Sequence, residues 1–238
     1  MLWIIPREEW VTPSNKLRSG VPMLRLPFLS LLLSLLLLAT PTFQDGSTAG
    51  VDECSFSTET PEFEGYMSLV SMADPYQGTM DADVTVMVFF DPNCPHCKDF
   101  HPVMNQVIAD NGPHARFFMI PFPLWQYSLV QVEGLYVAAQ QGKYFEMLEA
   151  QYAHQKAGGM SVDDVTTLAV GLGMDEAWFK AQIEQGLNQP MILERRAQIA
   201  SIGVRGTPSV MINGKFVAAD SRSRICMNNL IAQEASAG

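Results

Sequence analysis

Val84-Thr85-Val86-Met87-Val88-Phe89-Phe90-Asp91-Pro92-Asn93-Cys94-Pro95-His96-Cys97-Lys98 is the stretch that decides the fold of this chain. Residues 84–90 are apolar or β-branched throughout, the pattern of a strand buried on both faces. From Lys98 to about Asp110 the sequence reads as a helix, ended by Asn111-Gly112-Pro113, with Pro102 near its first turns as an expected kink. Two cysteines at i and i+3 on the opening turn of a helix can close a disulfide with each other. The first sulfur then lies at the positive end of the helix dipole, which favours its thiolate. A dithiol built in this way is suited to exchanging disulfides rather than merely holding one.

Outward from this junction the pattern alternates between strands and helices. Residues 66–70 read as a first strand and residues 75–83 as a turn-rich approach. Residues 115–121 form a second apolar run and the next buried strand. Segments near 128–141, 143–155, 161–171, 175–186 and 190–202 carry apolar residues at helical spacing, broken at Gly142, Gly158-Gly159, Gly173 and Asn188-Gln189-Pro190. Ser161 followed by Asp163 and Asp164 reads as an N-cap with an acidic first turn. Residues 208–218 then give a hairpin around Asn213-Gly214, and a last helix runs from about Ser221 to Ala235. The order β, β-α-β, helical block, β-β-α defines an α/β sheet covered by helices on both faces, with the helical block inserted at about 125–203.

Hydrophobic residues make up 47% of the 238-residue chain and charged residues 17%, which describes a globular chain with a sizeable core. A formal net charge of -10 excludes nucleic acid as a natural partner. Residues 26–39 are Leu-rich, follow Arg18 and Arg25, and give way to small and polar residues. This is the layout of a secretory signal, and the run is shorter than the roughly 20 residues of a spanning helix. Residues 1–45 are therefore read as a signal peptide or N-terminal anchor with its flanks, with Met1 and Met23 as alternative starts. Residues 46–75 are read as a loose N-terminal arm rich in Ser, Thr, Glu, Gly and Pro. Export places the domain of residues 76–238 in an oxidising space, where a reactive Cys pair has work to do.

The Phe89-to-Lys98 segment after a strand, together with Gly206-Thr207-Pro208-Ser209-Val210 before a late hairpin, resembles the DsbA-like group of the thioredoxin superfamily. The resemblance covers roughly residues 75–235. Cys-Pro-His-Cys matches the dipeptide choice of the DsbA oxidases, whereas Phe-Asp-Pro-x-Cys looks more like the DsbC and DsbG isomerases. It implies a thioredoxin-like fold with an inserted helical subdomain. It also implies a secreted or periplasmic thiol:disulfide oxidoreductase that introduces or exchanges disulfides in exported proteins. Cys94, nearer the helix end and more exposed, is the expected nucleophile and Cys97 the resolving thiol. His96 is expected to add positive character, and Pro95 to restrict the loop. The resemblance implies a cis bond at Thr207-Pro208, set against the cysteine pair, with backbone groups free to take an extended substrate chain. Thr207 leans toward isomerases and reductases. One departure stands out: the buried acid that many thioredoxin-like proteins carry six residues before the first cysteine is Val88 here.

The remaining cysteines, Cys54 and Cys226, are expected to form a structural disulfide; an intermolecular bridge or two unpaired thiols are the competing readings. The expected partners are unfolded or cysteine-containing exported proteins and a membrane redox partner, with the chain acting as a periplasmic monomer and with no cofactor or metal. The alternatives are a DsbC/DsbG-like isomerase or reductase, or a metal-binding protein on the same fold in which Cys94, Cys97 and His101 supply ligands. His101, His114 and His154 otherwise read as surface residues, and the 14 Met as core filler. The aromatic stretch from Phe122 to Tyr127 reads as core packing, or alternatively as one wall of a substrate groove.

Overall fold

The structure is a computed structural model that describes residues 54–71 and 74–237. The expected signal or anchor, and the arm before Cys54, lie outside the described residues. Among the described residues, no helix is long and apolar enough to cross a membrane.

The central strand is β2 (Val84–Phe90), buried at every position. It pairs in parallel with β3 (Ala115–Pro121) across the crossover helix α1 (Pro95–Asn111), because parallel neighbours need a long connection. On its other side it runs antiparallel to β4 (Ser209–Ile212). Short edge strands β1 (Tyr76–Gly78) and β5 (Lys215–Phe216) complete the order β1-β3-β2-β4-β5. Five helices lie between β3 and β4: α2 (Ser128–Ala139), α3 (Tyr144–Ala153), α4 (Val162–Gly171), α5 (Glu176–Gln185) and α6 (Gln189–Ser201). Helix α7 (Arg224–Ala237) ends the chain.

The period-2 alternation of β2 divides the core between two layers. Val84, Val86, Val88 and Phe90 pack with Met104 and Val107 of α1, Met227 and Leu230 of α7 and much of the helical block. Met87 and Phe89 face the other way, onto Phe118, Ile120, Met211 and Phe216, under Leu69, Ile199 and Val204. The β4–β5 turn takes Asn213 and Gly214 at φ 45° and 87°, the positive-φ pair of a tight hairpin. A side chain at 214 would meet the Phe63 carbonyl oxygen at 2.5 Å, so only glycine fits.

Three expectations change at the N-terminal end. Residues Tyr66–Leu69 form a 3-10 turn rather than a strand. The approach to β2 carries the short strand β1. The arm is also not loose from Cys54 onward: Cys54 and Cys226 form a disulfide, Ser57 N–H donates to the Phe216 carbonyl at 2.7 Å, and Phe63 N–H to that of Gly214 at 2.9 Å. The arm covers the edge beside β5, a place where free backbone groups would otherwise invite further pairing.

Candidate active site

Cys94 is the N-cap of α1, in extended backbone, and Pro95 takes the first helical position, where a missing N–H costs nothing. The helix therefore begins at Pro95 rather than Lys98, and Cys97 sits inside its first turn. Pro102 lies within the helix, near its start. The cap loop is held from several directions. Cys94 N–H donates to the Asp91 carbonyl at 3.0 Å, and Gln155, beyond α3, donates to the carbonyls of Pro92 and Cys94 at 2.9 and 3.2 Å.

Asp91 is fully buried at the end of β2. Its carboxylate accepts from Asn93 N–H at 2.7 Å and from Leu124 N–H at 2.6 Å. Burial raises its pKa, against the pull of these hydrogen bonds. One side chain thus ties the loop before the cysteines to the loop after β3. Asn93 adds a bond to the Ser128 hydroxyl at 3.1 Å.

Both cysteines are covered, Cys94 at 4% exposed being the slightly more open of the two, against 2% for Cys97. Pro95 and His96 form the exposed lip above them. The two free thiols nonetheless differ sharply. The Cys94 pKa falls from an ordinary thiol value to about 5, chiefly because the Cys97 side chain hydrogen-bonds to its sulfur; burial opposes this, and Thr207 with the backbone N–H groups of Cys97 and His96 supports it. Burial pushes the Cys97 thiol far up, and the neighbouring Cys94 adds to that. One proton is therefore held on Cys97 and shared toward a Cys94 thiolate. His96 acts here through its backbone N–H.

The Thr207–Pro208 bond is cis, and the Cys94 sulfur lies 3.4 Å from the Thr207 carbonyl oxygen. The Thr207 hydroxyl is buried. Cys94, Cys97, Thr207 and Pro208 thus converge from two distant parts of the chain, with Pro95 and His96 at the rim. Cys54 and Cys226 pair elsewhere, between arm and α7.

His101 is not a surface residue. It is 9% exposed, its Nε2 lies 2.7 Å from Glu149 Oε1, and its ring packs 4.9 Å from that of Tyr152. It is therefore engaged with α3 rather than offered to a metal beside the cysteines. The stretch after β3 is mixed: Phe122 is core, whereas Trp125 and Tyr127 stack at 5.5 Å and 8° and are both partly exposed. Sequence reasoning missed Gln155 and Arg222, which act through backbone carbonyls at the site and carry no local motif. Asp91 stood next to the motif, but nothing in the sequence said that it would be buried.

Fold and site together define a thioredoxin-like protein with a paired-thiol centre. The fold is similar to that of BdbD from Bacillus subtilis, with a TM-score of 0.62 and 16% identity, over 69% of this chain and 94% of that one. It is also similar to the thiol-disulfide exchange protein alpha-DsbA2 from Wolbachia pipientis, with a TM-score of 0.60 and 24% identity over 73% and 92%, and to BcfH from Salmonella enterica Typhimurium, at 0.59 and 26% over 70% and 75%. A family model described as Thioredoxin matches residues 71–227, and the chain belongs to that family. Among curated proteins, 159 residues are 28% identical to a protein named Na(+)/H(+) antiporter NhaA 1 from Salinispora arenicola, covering 64% of this chain and 24% of that protein. The chain thus spans about a quarter of the length of the curated relatives it matches.

Proposed function

We propose that the chain is a thiol–disulfide oxidoreductase that introduces or exchanges disulfides in exported proteins through Cys94 and Cys97. The observation that carries this reading is the geometry of the pair: Cys94 caps the N-terminus of α1 with Cys97 in the first turn, and its sulfur lies 3.4 Å from the carbonyl oxygen that precedes cis-Pro208; the lowered Cys94 pKa and raised Cys97 pKa accord with it. Stabilising the thiolate stabilises the reduced form, which makes the oxidised form a better oxidant. In the oxidised protein a substrate thiolate attacks Cys94 Sγ, the Cys94–Cys97 bond breaks, and Cys97 leaves and takes up a proton. A second substrate thiolate then attacks the substrate sulfur of the mixed disulfide. The substrate gains a disulfide, Cys94 departs as a thiolate, and two electrons remain on the pair. A membrane redox partner removes them.

The Thr207 carbonyl beside the Cys94 sulfur gives an extended substrate backbone a place to pair, and the exposed Trp125–Tyr127 stack supplies a wall for its side chains. This reading places the protein in the periplasm as a monomer, with residues 1–45 as signal peptide or anchor, 46–75 as an arm and 76–238 as the working domain. The isomerase or reductase reading has Thr207 in its favour. The test is oxidation of a reduced, unfolded protein by the oxidised chain, followed as substrate thiols lost. Wild type should transfer one disulfide per chain, and C94S none; equal transfer by C94S would end the proposal.

A further inference from the structure

The chain between α3 and α4 is an exposed rim over residues 153–158, except that Gln155 is half-buried and turns inward. Its Nε2 donates to the Pro92 carbonyl at 2.9 Å and to the Cys94 carbonyl at 3.2 Å. The loop is shaped for this reach. Met160 N–H donates to the buried Gln131 side chain at 2.9 Å, which anchors the far end. Gly159 takes φ 82°, and a side chain there would meet Tyr127 at 2.7 Å. Glycine at 159 lets the loop lie down against Tyr127 and Asn93, with the Gln155 amide on the cysteine cap.

The two carbonyls belong to the peptides on either side of the Asn93–Cys94 unit. The Pro92–Asn93 peptide is held at both ends, because Asn93 N–H donates to the Asp91 carboxylate at 2.7 Å. Cys94 N–H is taken by the Asp91 carbonyl at 3.0 Å. The Cys94–Pro95 peptide has no N–H, so it can be gripped only through its carbonyl. Cys97 and Lys98 N–H grip that carbonyl from the helix, both at 3.1 Å, and Gln155 grips it from the helical block. The backbone torsions on both sides of the Cys94 Cα are thereby fixed, and with them the direction of its Cα–Cβ bond. That direction leaves the sulfur 3.4 Å from the Thr207 carbonyl oxygen and beside the N–H groups of His96 and Cys97.

We propose that Gln155 is a positioning residue of the exchange site: its amide clamps the Pro92 and Cys94 carbonyls and so aims the Cys94 sulfur at the donors that stabilise its thiolate. This rests on the exchange reading above. The amide also offsets the negative end of the Cys94 carbonyl dipole, which belongs to the same residue as the thiolate. The titratable and charged groups about the pair are Cys97 and His96 on α1, Asp91 at the end of β2, Tyr152 on α3, and Arg222, which donates to the Pro208 carbonyl. Gln155 is neutral, so replacing it with another neutral side chain alters none of their charges.

The test is the thiolate absorbance of the reduced full-length chain at about 240 nm, titrated from about pH 3.5 to 9 for wild type, Q155M and Q155A, with C94S as background. The wild-type midpoint is expected at about 5. Q155M keeps the length of the side chain and removes its donors. It should raise the midpoint by about one unit, the worth of about one net hydrogen bond, and so lower the thiolate fraction at pH 5 about fivefold. Q155A should do the same. A role confined to holding the loop would lower resistance to guanidinium and leave the midpoint in place, so a folded Q155M or Q155A with the wild-type midpoint overturns the proposal. If neither folds, the wild type decides: its Gln155 side-chain amide resonances should shift through the Cys94 midpoint, and resonances flat across it overturn the proposal. A reduced wild type with no absorbance step that C94S removes would instead defeat the exchange reading itself.

Discussion

The folded stability of the reduced protein should depend on pH in a way that the oxidised protein does not share. Cys94 titrates near 5 in the fold and near 8.5 as an unfolded thiol. A group whose folded pKa is depressed contributes stability that is fully present above its unfolded value and lost as pH falls toward its folded value. At about 1.4 kcal/mol per pH unit, the Cys94 thiolate adds about 5 kcal/mol near pH 8.5, about 3 kcal/mol at pH 7 and little at pH 5. Cys97 acts with the opposite sign in the next window. Its folded pKa is raised, so above about pH 8.5 the unfolded thiol ionises while the folded one does not, and stability falls again. The oxidised protein has neither thiol, and its carboxylates and histidines cancel in the difference between the two forms. Guanidinium unfolding of both forms at half-unit steps from pH 4.5 to 10 measures that difference. It should climb from pH 5, peak near 8.5 and decline beyond. A flat difference, or one that rises toward acid pH, would refute the asymmetric pair.

Three other outcomes follow from the packing. Removing the Cys54–Cys226 bridge as C54A/C226A closes no loop over its 172-residue separation, for which the chain-entropy model gives about 5 kcal/mol. Chemical denaturation should show a loss of at least about 2 kcal/mol, and a loss under about 0.5 kcal/mol would mean that the arm is held without it. Asp91→Ala leaves the Asn93 and Leu124 N–H groups buried without an acceptor, a cost of about 2–5 kcal/mol in unfolding free energy. Hydrogen exchange at Leu124 should rise with it; unchanged protection there would contradict the tie between the two loops. Glu133 is fully buried in α2, and burial raises its pKa, so its ionisation above about pH 4.3 costs the fold stability. Glu133→Gln keeps an acceptor for the Asn188 N–H and Nδ2 groups and should stabilise the protein at pH 7 but not at pH 4. An equal effect at both pH values would place the cause outside the charge.

The elements with strong periodicity were legible in the sequence. An unbroken run such as 84–90 admits only a strand buried on both sides, and the breaks at Gly142, Gly173 and Asn188 fall between the helices they separate. The cysteine motif and the late Thr-Pro could be connected because each carries its own local signature. The 3-10 turn at Tyr66–Leu69 was misread as a strand because a few apolar residues carry no period long enough to choose. The burial of His101 depended on α3 arriving with Glu149 and Tyr152, a tertiary event that no window around position 101 records. Arg222 was invisible for the same reason: its partner is a backbone carbonyl fourteen residues earlier, and any arginine near a helix start looks alike. Residues that act through the backbone of others leave no mark in the sequence beside them.

The account turns on a sulfur pair held ready to accept electrons, and its reduction potential is the direct measure of that. Equilibration of the Cys94–Cys97 pair with glutathione, read by acid quench and thiol labelling, should give a value toward the oxidising end, at about −120 to −180 mV. A value of about −270 mV or below would show a pair that prefers its disulfide, and would contradict the claim that the fold stabilises the reduced thiolate.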